Sequence, residues 1–228
     1  MRARDNPFAT ARVHQIRYRL PGGLGWEELL TRLESMKWRA ALVGPEGAGK
    51  TTLLEDFESG LIKQGFEVVW LRLTREEPRF TSATLAQLET LHSRQMVLFD
   101  GAEQLSRLAW WRFLRLARRA GGLLITSHRS GLLPTLLKCD TTPELLADIV
   151  ANLLNETPTD HCAEARRLHR KHRGNLREAL RELYDHWSDS TRSSRASLPP
   201  VEDRHLTQRL NIARASASGV GLVRWESV

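Results

Sequence analysis

The sequence predicts an α/β fold: a three-layer core on a mainly parallel sheet, followed by a small helical lid. Three observations predict it. Up to about residue 141, short apolar runs alternate with segments of helical periodicity, the pattern that right-handed crossovers turn into a parallel sheet covered on both faces. One of these runs, Ala40-Ala41-Leu42-Val43, leads into Gly44-Pro45-Glu46-Gly47-Ala48-Gly49-Lys50-Thr51, which satisfies G-x-x-x-x-G-K-[ST] in full. From Thr142 onward only helical periodicity remains.

The elements follow in order. Trp26, Leu29, Leu30, Leu33 and Met36 recur at helical spacing, so residues 25–37 are read as an amphipathic helix before the first strand. The helix opening at Lys50 stops at Gly65, and residues 67–73 form the second strand. A polar helix over about 82–92 leads to the strand Met96-Val97-Leu98-Phe99-Asp100. Residues 104–120 form a further helix ended by Gly121 and Gly122, residues 123–127 a fourth strand, and residues 135–139 a fifth. Helices are then expected over about 143–155, 160–172 and 175–188. Residues 189–204, rich in Ser, Arg, Pro and Asp, read as linker.

Strand, glycine loop, helix is the arrangement a phosphate-binding loop requires. Gly47 and Gly49 let the backbone turn its N–H groups toward an anion. The helix after them adds unpaired amides and the positive end of its dipole. The residues from Gly44 to Thr52 would cradle the phosphates, Lys50 would bridge the β- and γ-phosphates, and the Thr51 hydroxyl would hold Mg²⁺. Asp100, at the carboxyl end of a strand read as lying beside the phosphate-loop strand, would sit next to the metal.

The water-activating group is open between two readings: Glu103 orients the water, or Glu103 caps the helix that follows. Thr126, with Ser127 and His128, ends the fourth strand on the same sheet edge and offers a hydrogen bond to the lytic water or the γ-phosphate. Arg129 is read as a solvated loop arginine. Arg177, on the edge of the last lid helix, would report on the γ-phosphate or lie on a basic surface between Arg173 and Arg181.

Composition narrows the setting. The 228 residues suffice for one α/β domain with a small appendage, and 41% hydrophobic content suffices for a packed core. No apolar run reaches the ~20 residues of a membrane span, residues 1–7 lack the apolar stretch of a secretory signal, and two cysteines make no disulfide framework. A cytoplasmic setting is therefore expected. The net charge of +7 comes nearly all from arginine spread along the chain, and its densest stretch is residues 166–173. That stretch is read as a solvated face, partly neutralised by Glu164 and Glu178. Trp110 and Trp111 are adjacent, so a helix cannot bury both equally. Burial of both at a broad interface with the sheet is the expectation, and an exposed one would mark a partner surface.

Together the phosphate loop, the Asp100 strand, the Thr126-Ser127-His128 strand end and Gly174-Asn175-Leu176-Arg177 resemble the AAA-type P-loop ATPases. Small single-module members related to origin-recognition, secretion and transposition ATPases are the nearest in kind, and the resemblance covers roughly residues 6–188. It implies a three-layer P-loop NTPase core over 1–141, a helical lid over 142–188, and a linker and weakly structured tail over 189–228. Within the core, Asn6-Pro7-Phe8-Ala9-Thr10 would contact adenine. It also implies ATP and Mg²⁺ as ligands and a nucleotide-dependent switch acting on a partner protein. The sequence departs from the family where Gly101 replaces the usual glutamate after Asp100. The loop 128–134 is also short for the family's usual helix, and the usual trans-acting arginine has no counterpart.

Two other functions fit parts of the sequence. A small-molecule P-loop phosphotransferase would close an arginine-bearing lid over an acceptor, but the lid here follows the sheet instead of interrupting it. A nucleotide-gated DNA-binding adaptor would use the basic lid helix, with no helix-turn-helix, finger or stacking motif to support it.

Overall fold

A computed structural model describes residues 6–196, with side chains to residue 189. The chain forms two units, Met1–Trp187 and Ser188–Val228, and every site discussed below lies in the first.

Helices α1 (Thr10–Val13) and α2 (Trp26–Ser35) precede β1 (Arg39–Val43) and α3 (Lys50–Lys63). Then come β2 (Glu67–Arg72), α4 (Ser82–Glu89), β3 (Gln95–Asp100), α5 (Arg107–Ala117), β4 (Gly122–Ser127) and β5 (Thr135–Lys138). The last three helices are α6 (Pro143–Leu154), α7 (Pro158–Lys171) and α8 (Leu176–Ala196). All strand pairs are parallel, in the order β2-β3-β4-β1-β5. β3 is thus not beside the phosphate-loop strand as the sequence suggested: β4 lies between them. Chain order and alternation say which segments are strands, not which are neighbours.

The sheet is buried on both faces, which makes the core three layers. On one face Leu42, Met96, Leu98 and Leu124 meet Leu29 and Leu33 of α2 and Leu53, Phe57 and Leu61 of α3. On the other, Val97, Phe99, Leu123 and Ile125 meet Leu88 of α4 and Phe113 and Ala117 of α5. Period-2 alternation along the strands feeds the two layers, as a doubly covered parallel sheet demands. A third cluster holds α6, α7 and α8 together through Leu146, Val150, Leu168, Leu176 and Leu180.

Helix boundaries differ from the periodicity in two instructive places. α5 starts at Arg107, because the Ser106 hydroxyl accepts the Ala109 amide as an N-cap. Ala102–Gln104 is instead a single 3₁₀ turn led by Gly101, whose φ is 87°. α8 continues to Ala196, so the start of the predicted linker 189–204 is helical. The rest of that linker and the tail lie outside the described residues.

Candidate nucleotide and metal site

The site gathers at the carboxyl edge of the sheet, where β1 ends in the glycine loop. Gly47 and Gly49 have φ values of 73° and 76°, a left-handed conformation that favours glycine. A side chain on Gly47 would overlap the Asn175 amide, and one on Gly44 the Cys139 carbonyl. These glycines let the Asn175 side chain and the Cys139 backbone approach the loop closely. α3 has no side-chain cap at its N-terminus. Among the hydrogen bonds of the described residues, the amides of Gly47, Gly49, Lys50, Thr51 and Thr52 find no acceptor. Unpaired amides at a helix N-terminus form an anion site.

Lys50 is buried, and its Nζ donates to the carbonyl oxygens of Gly44 (2.8 Å) and Pro45 (2.7 Å). Burial pushes its pKa below that of ordinary lysine, an effect opposed first by the nearby Glu103 carboxylate and also by Asp100. The ammonium is therefore held among carbonyls it would exchange for phosphate oxygens.

Asp100 is the hub. Its Oδ2 accepts the Thr51 hydroxyl at 3.0 Å, and its Oδ1 accepts the Thr126 hydroxyl at 2.6 Å. The Thr126 oxygen in turn accepts the Gly101 amide at 2.9 Å. Thr126 is 1% exposed and has a single proton, which it gives to Asp100. It therefore fixes the carboxylate from the interposed strand β4. Arg72, at the end of β2, reaches the same Oδ2 through Nε at 3.3 Å and Glu55 through Nη2 at 3.4 Å. The sequence reading missed Arg72. Its signal was a lone arginine ending an apolar strand run, on the sheet edge that carries Asp100.

Glu103 is no helix cap, since Ser106 takes that place. Its Oε1 lies 3.4 Å from His128 Nε2, whereas its buried Oε2 has no hydrogen-bond partner. An orphaned carboxylate oxygen beside the phosphate loop has the chemistry of a water acceptor. Ser127 is spent on the next turn, bonding the carbonyl and amide of Arg129, whose side chain is exposed.

The lid meets the loop through backbone. Arg173 (φ 51°) and Gly174 (φ 82°) turn the chain sharply between α7 and α8. The Thr141 hydroxyl donates to the Gly174 carbonyl at 2.8 Å. Asn175 then caps α8, its Oδ1 accepting the Glu178 amide at 3.2 Å, while lying against Gly47. Arg177 follows with an exposed side chain. The proposed adenine segment is drawn into the lid: Phe8 is buried against Trp187 with ring centroids 6.1 Å apart, and the Asn6 side chain donates to the Tyr184 carbonyl.

The residues present fit a magnesium triphosphate. Thr51 and Asp100 supply one hydroxyl and one carboxylate. Mg²⁺ takes few protein ligands and completes its octahedron with water and phosphate oxygens. Among the described residues no group of three or more His, Cys, Asp or Glu could hold a metal without such help.

The five-stranded parallel sheet, the glycine loop opening α3 and the helices after the sheet define a P-loop NTPase core with C-terminal helices. No family model matches the chain, and no curated protein matches it in sequence. Solved structures of Thermotoga maritima RuvB are similar in part. One, described as a Holliday junction branch migration motor, is 24% identical with a TM-score of 0.46, the match covering 70% of this chain and 61% of that one. An arginine-to-alanine variant of the same protein gives 24% identity and a TM-score of 0.47 over the same shares. This chain thus spans about three fifths of the length of the structures it matches.

Proposed function

We propose that this chain is an AAA-type module that binds and hydrolyses ATP with Mg²⁺, and that residues 142–188 form a lid reporting the nucleotide state to a partner protein. The observation that carries the reading is the 3.0 Å contact between the Thr51 hydroxyl and Asp100, across two strands, beside a complete phosphate loop. In this reading Lys50 leaves the Gly44 and Pro45 carbonyls for the β- and γ-phosphates. Thr51 and Asp100 would hold the metal, which when bound would supply charge neutralisation at the phosphates. Glu103, steadied by His128, orients a water that adds to the γ-phosphorus as the bond to ADP breaks. Asn175 and Arg177, at the mouth of α8 against Gly47, are placed to register an occupied loop.

A reducing, cytoplasmic setting belongs to the same proposal, supported by the free cysteines Cys139 and Cys162. Among the described residues no helix is long and apolar enough to cross a membrane. Binding of fluorescent ATP and phosphate release, measured on the native chain, Lys50→Ala and Glu103→Gln, test the reading. Glu103→Gln should bind ATP and release little phosphate. Tight binding by Lys50→Ala would overturn the nucleotide assignment.

A further inference from the structure

Two helices carry clusters of arginine, and they are treated differently. On α7, Arg167 pairs with Glu164 and Glu182, and Lys171 with Glu182. On α5, which contains no acidic residue, Arg107, Arg112 and Arg115, and Arg118 at its C-cap, have no carboxylate partner among the described residues.

The adjacent tryptophans of α5 separate sharply. Trp110 packs on Phe113 and the core, with ring centroids 5.5 Å apart, whereas Trp111 is 56% exposed. Leu108, one turn earlier, is 58% exposed. The sequence expectation that both tryptophans are buried is corrected: the core face of α5 has room for Trp110, and the next position points away from it.

At about 100° per residue, Leu108, Trp111 and Arg115 form the middle of the outward face. Arg107 and Arg118 lie along one side of it, and Arg112 along the other. Arg115 lies over the Trp111 ring at 5.2 Å. An apolar centre of Trp and Leu within an arginine rim is the anatomy of a protein interface, where Trp and Arg are the residues that most often carry the energy. A polyanion would use the guanidinium groups but not Leu108, and Arg115 already covers one face of the ring on which a base would stack.

We infer that the outward face of α5 docks a protein segment with an apolar stripe bordered by carboxylates. This inference stands whether or not the phosphate loop turns over ATP. Because α5 begins four residues after Glu103, an occupant there adjoins the nucleotide site.

The test uses the full chain and a fluorescent amphipathic peptide of about 15 residues, with a leucine stripe flanked by glutamates. Its counterpart carries lysines in place of the glutamates. Fluorescence anisotropy at about 0.15 M salt should show binding of the acidic peptide only, weakened about tenfold or more by Trp111→Ala. An Arg107→Glu, Arg112→Glu, Arg118→Glu chain should exchange its preference and take the lysine peptide, a gain that misfolding cannot imitate. No binding of the acidic peptide, or binding indifferent to Trp111→Ala, overturns the inference. Tighter, Trp111-dependent binding of a single-stranded or duplex oligonucleotide would also overturn it, assigning the face to nucleic acid.

Discussion

Asp100 and Glu182 each stand at the centre of a polar cluster, yet the two clusters are built to opposite ends. Asp100 is held mainly by neutral hydroxyls, Thr51 on one oxygen and Thr126 on the other, with its side chain 16% exposed. Among the described residues its ion-pair partner is Arg72, half exposed and shared with Glu55. Glu182 faces Arg167 at 3.1 Å, Lys171 at 2.6 Å and His172 at 2.8 Å, on a partly exposed flank between α7 and α8. Hydroxyl partners orient a carboxylate without cancelling its charge, so Asp100 keeps an attraction for a metal. Glu182 has spent its charge on tying two helices together. In the proposed reading the first cluster serves a ligand, whereas the second ties the fold.

The strongest way to break that contrast is to remove the groups that make the ligand site attractive. Lys50→Ala should weaken ATP binding about 100-fold or more, because charge-assisted bonds in a desolvated loop are worth roughly 3 kcal/mol. Calorimetric titration with ATP and Mg²⁺ measures it. A change below a few-fold would show that the ammonium stays on the loop carbonyls when nucleotide binds. Asp100→Asn keeps the shape and removes the charge, with one amide oxygen left to accept a hydroxyl where the carboxylate accepts two. Turnover should fall about 10²- to 10³-fold, with the Mg²⁺ dependence of ATP binding flattened in the same titration.

Thr126→Val sharpens the contrast from within the site. The substitution keeps the volume but strands the Gly101 amide and Asp100 Oδ1, both of which bond the buried hydroxyl. A cost of about 1–3 kcal/mol in urea unfolding follows, with roughly tenfold slower turnover from a loosened Asp100. Full turnover with lowered stability would make Thr126 a purely structural residue.

Much of this was readable in the chain. The phosphate loop, the strand that delivers Asp100 and the helices after Thr142 follow from a spacing motif and from periodicity, which are local properties. Sheet order is not local, so Asp100 was expected on a strand adjoining β1, when Thr126 of β4 lies between. Arg72 was missed for the same reason: only the pairing of β2 with β3, Arg72 opposite Asp100, brings it to the site. Glu103 could be read two ways because the helix start was blurred by continuous apolar periodicity, although Ser106 carried the cap signal. On the lid, Glu164 and Glu178 were expected to neutralise the basic helix in part. Glu164 does pair with Arg167, but the second carboxylate is Glu182, one turn beyond Glu178 along α8, because which residues of two helices meet depends on their packing.

The smallest effect comes from the cluster built for the fold. Its partners hold the Glu182 carboxyl down from 4.5 to about 2, through hydrogen bonds from Lys171 and then His172 and Arg167. A carboxyl depressed in the folded chain contributes stability above its unfolded value and loses it as pH falls through the folded value. The native chain should therefore exceed Glu182→Gln in stability at neutral pH, with the gap closing between about pH 4.5 and pH 2. Arg167 and Lys171 are more than half exposed, so water screens the cluster and the neutral-pH gap should be only about 0.5–1 kcal/mol. Urea unfolding at stepped pH measures it, and high salt should shrink it further. A gap that widens toward acid would mean that Glu182 is protonated in the folded chain. ATP binding in Glu182→Gln should match the native chain, because its partners Arg167 and Lys171 lie on α7, His172 at its C-cap, and none of them on the loop. If nucleotide affinity moved with this substitution, the α7–α8 tie would be setting the position of Asn175 against Gly47, and the two clusters would be one device.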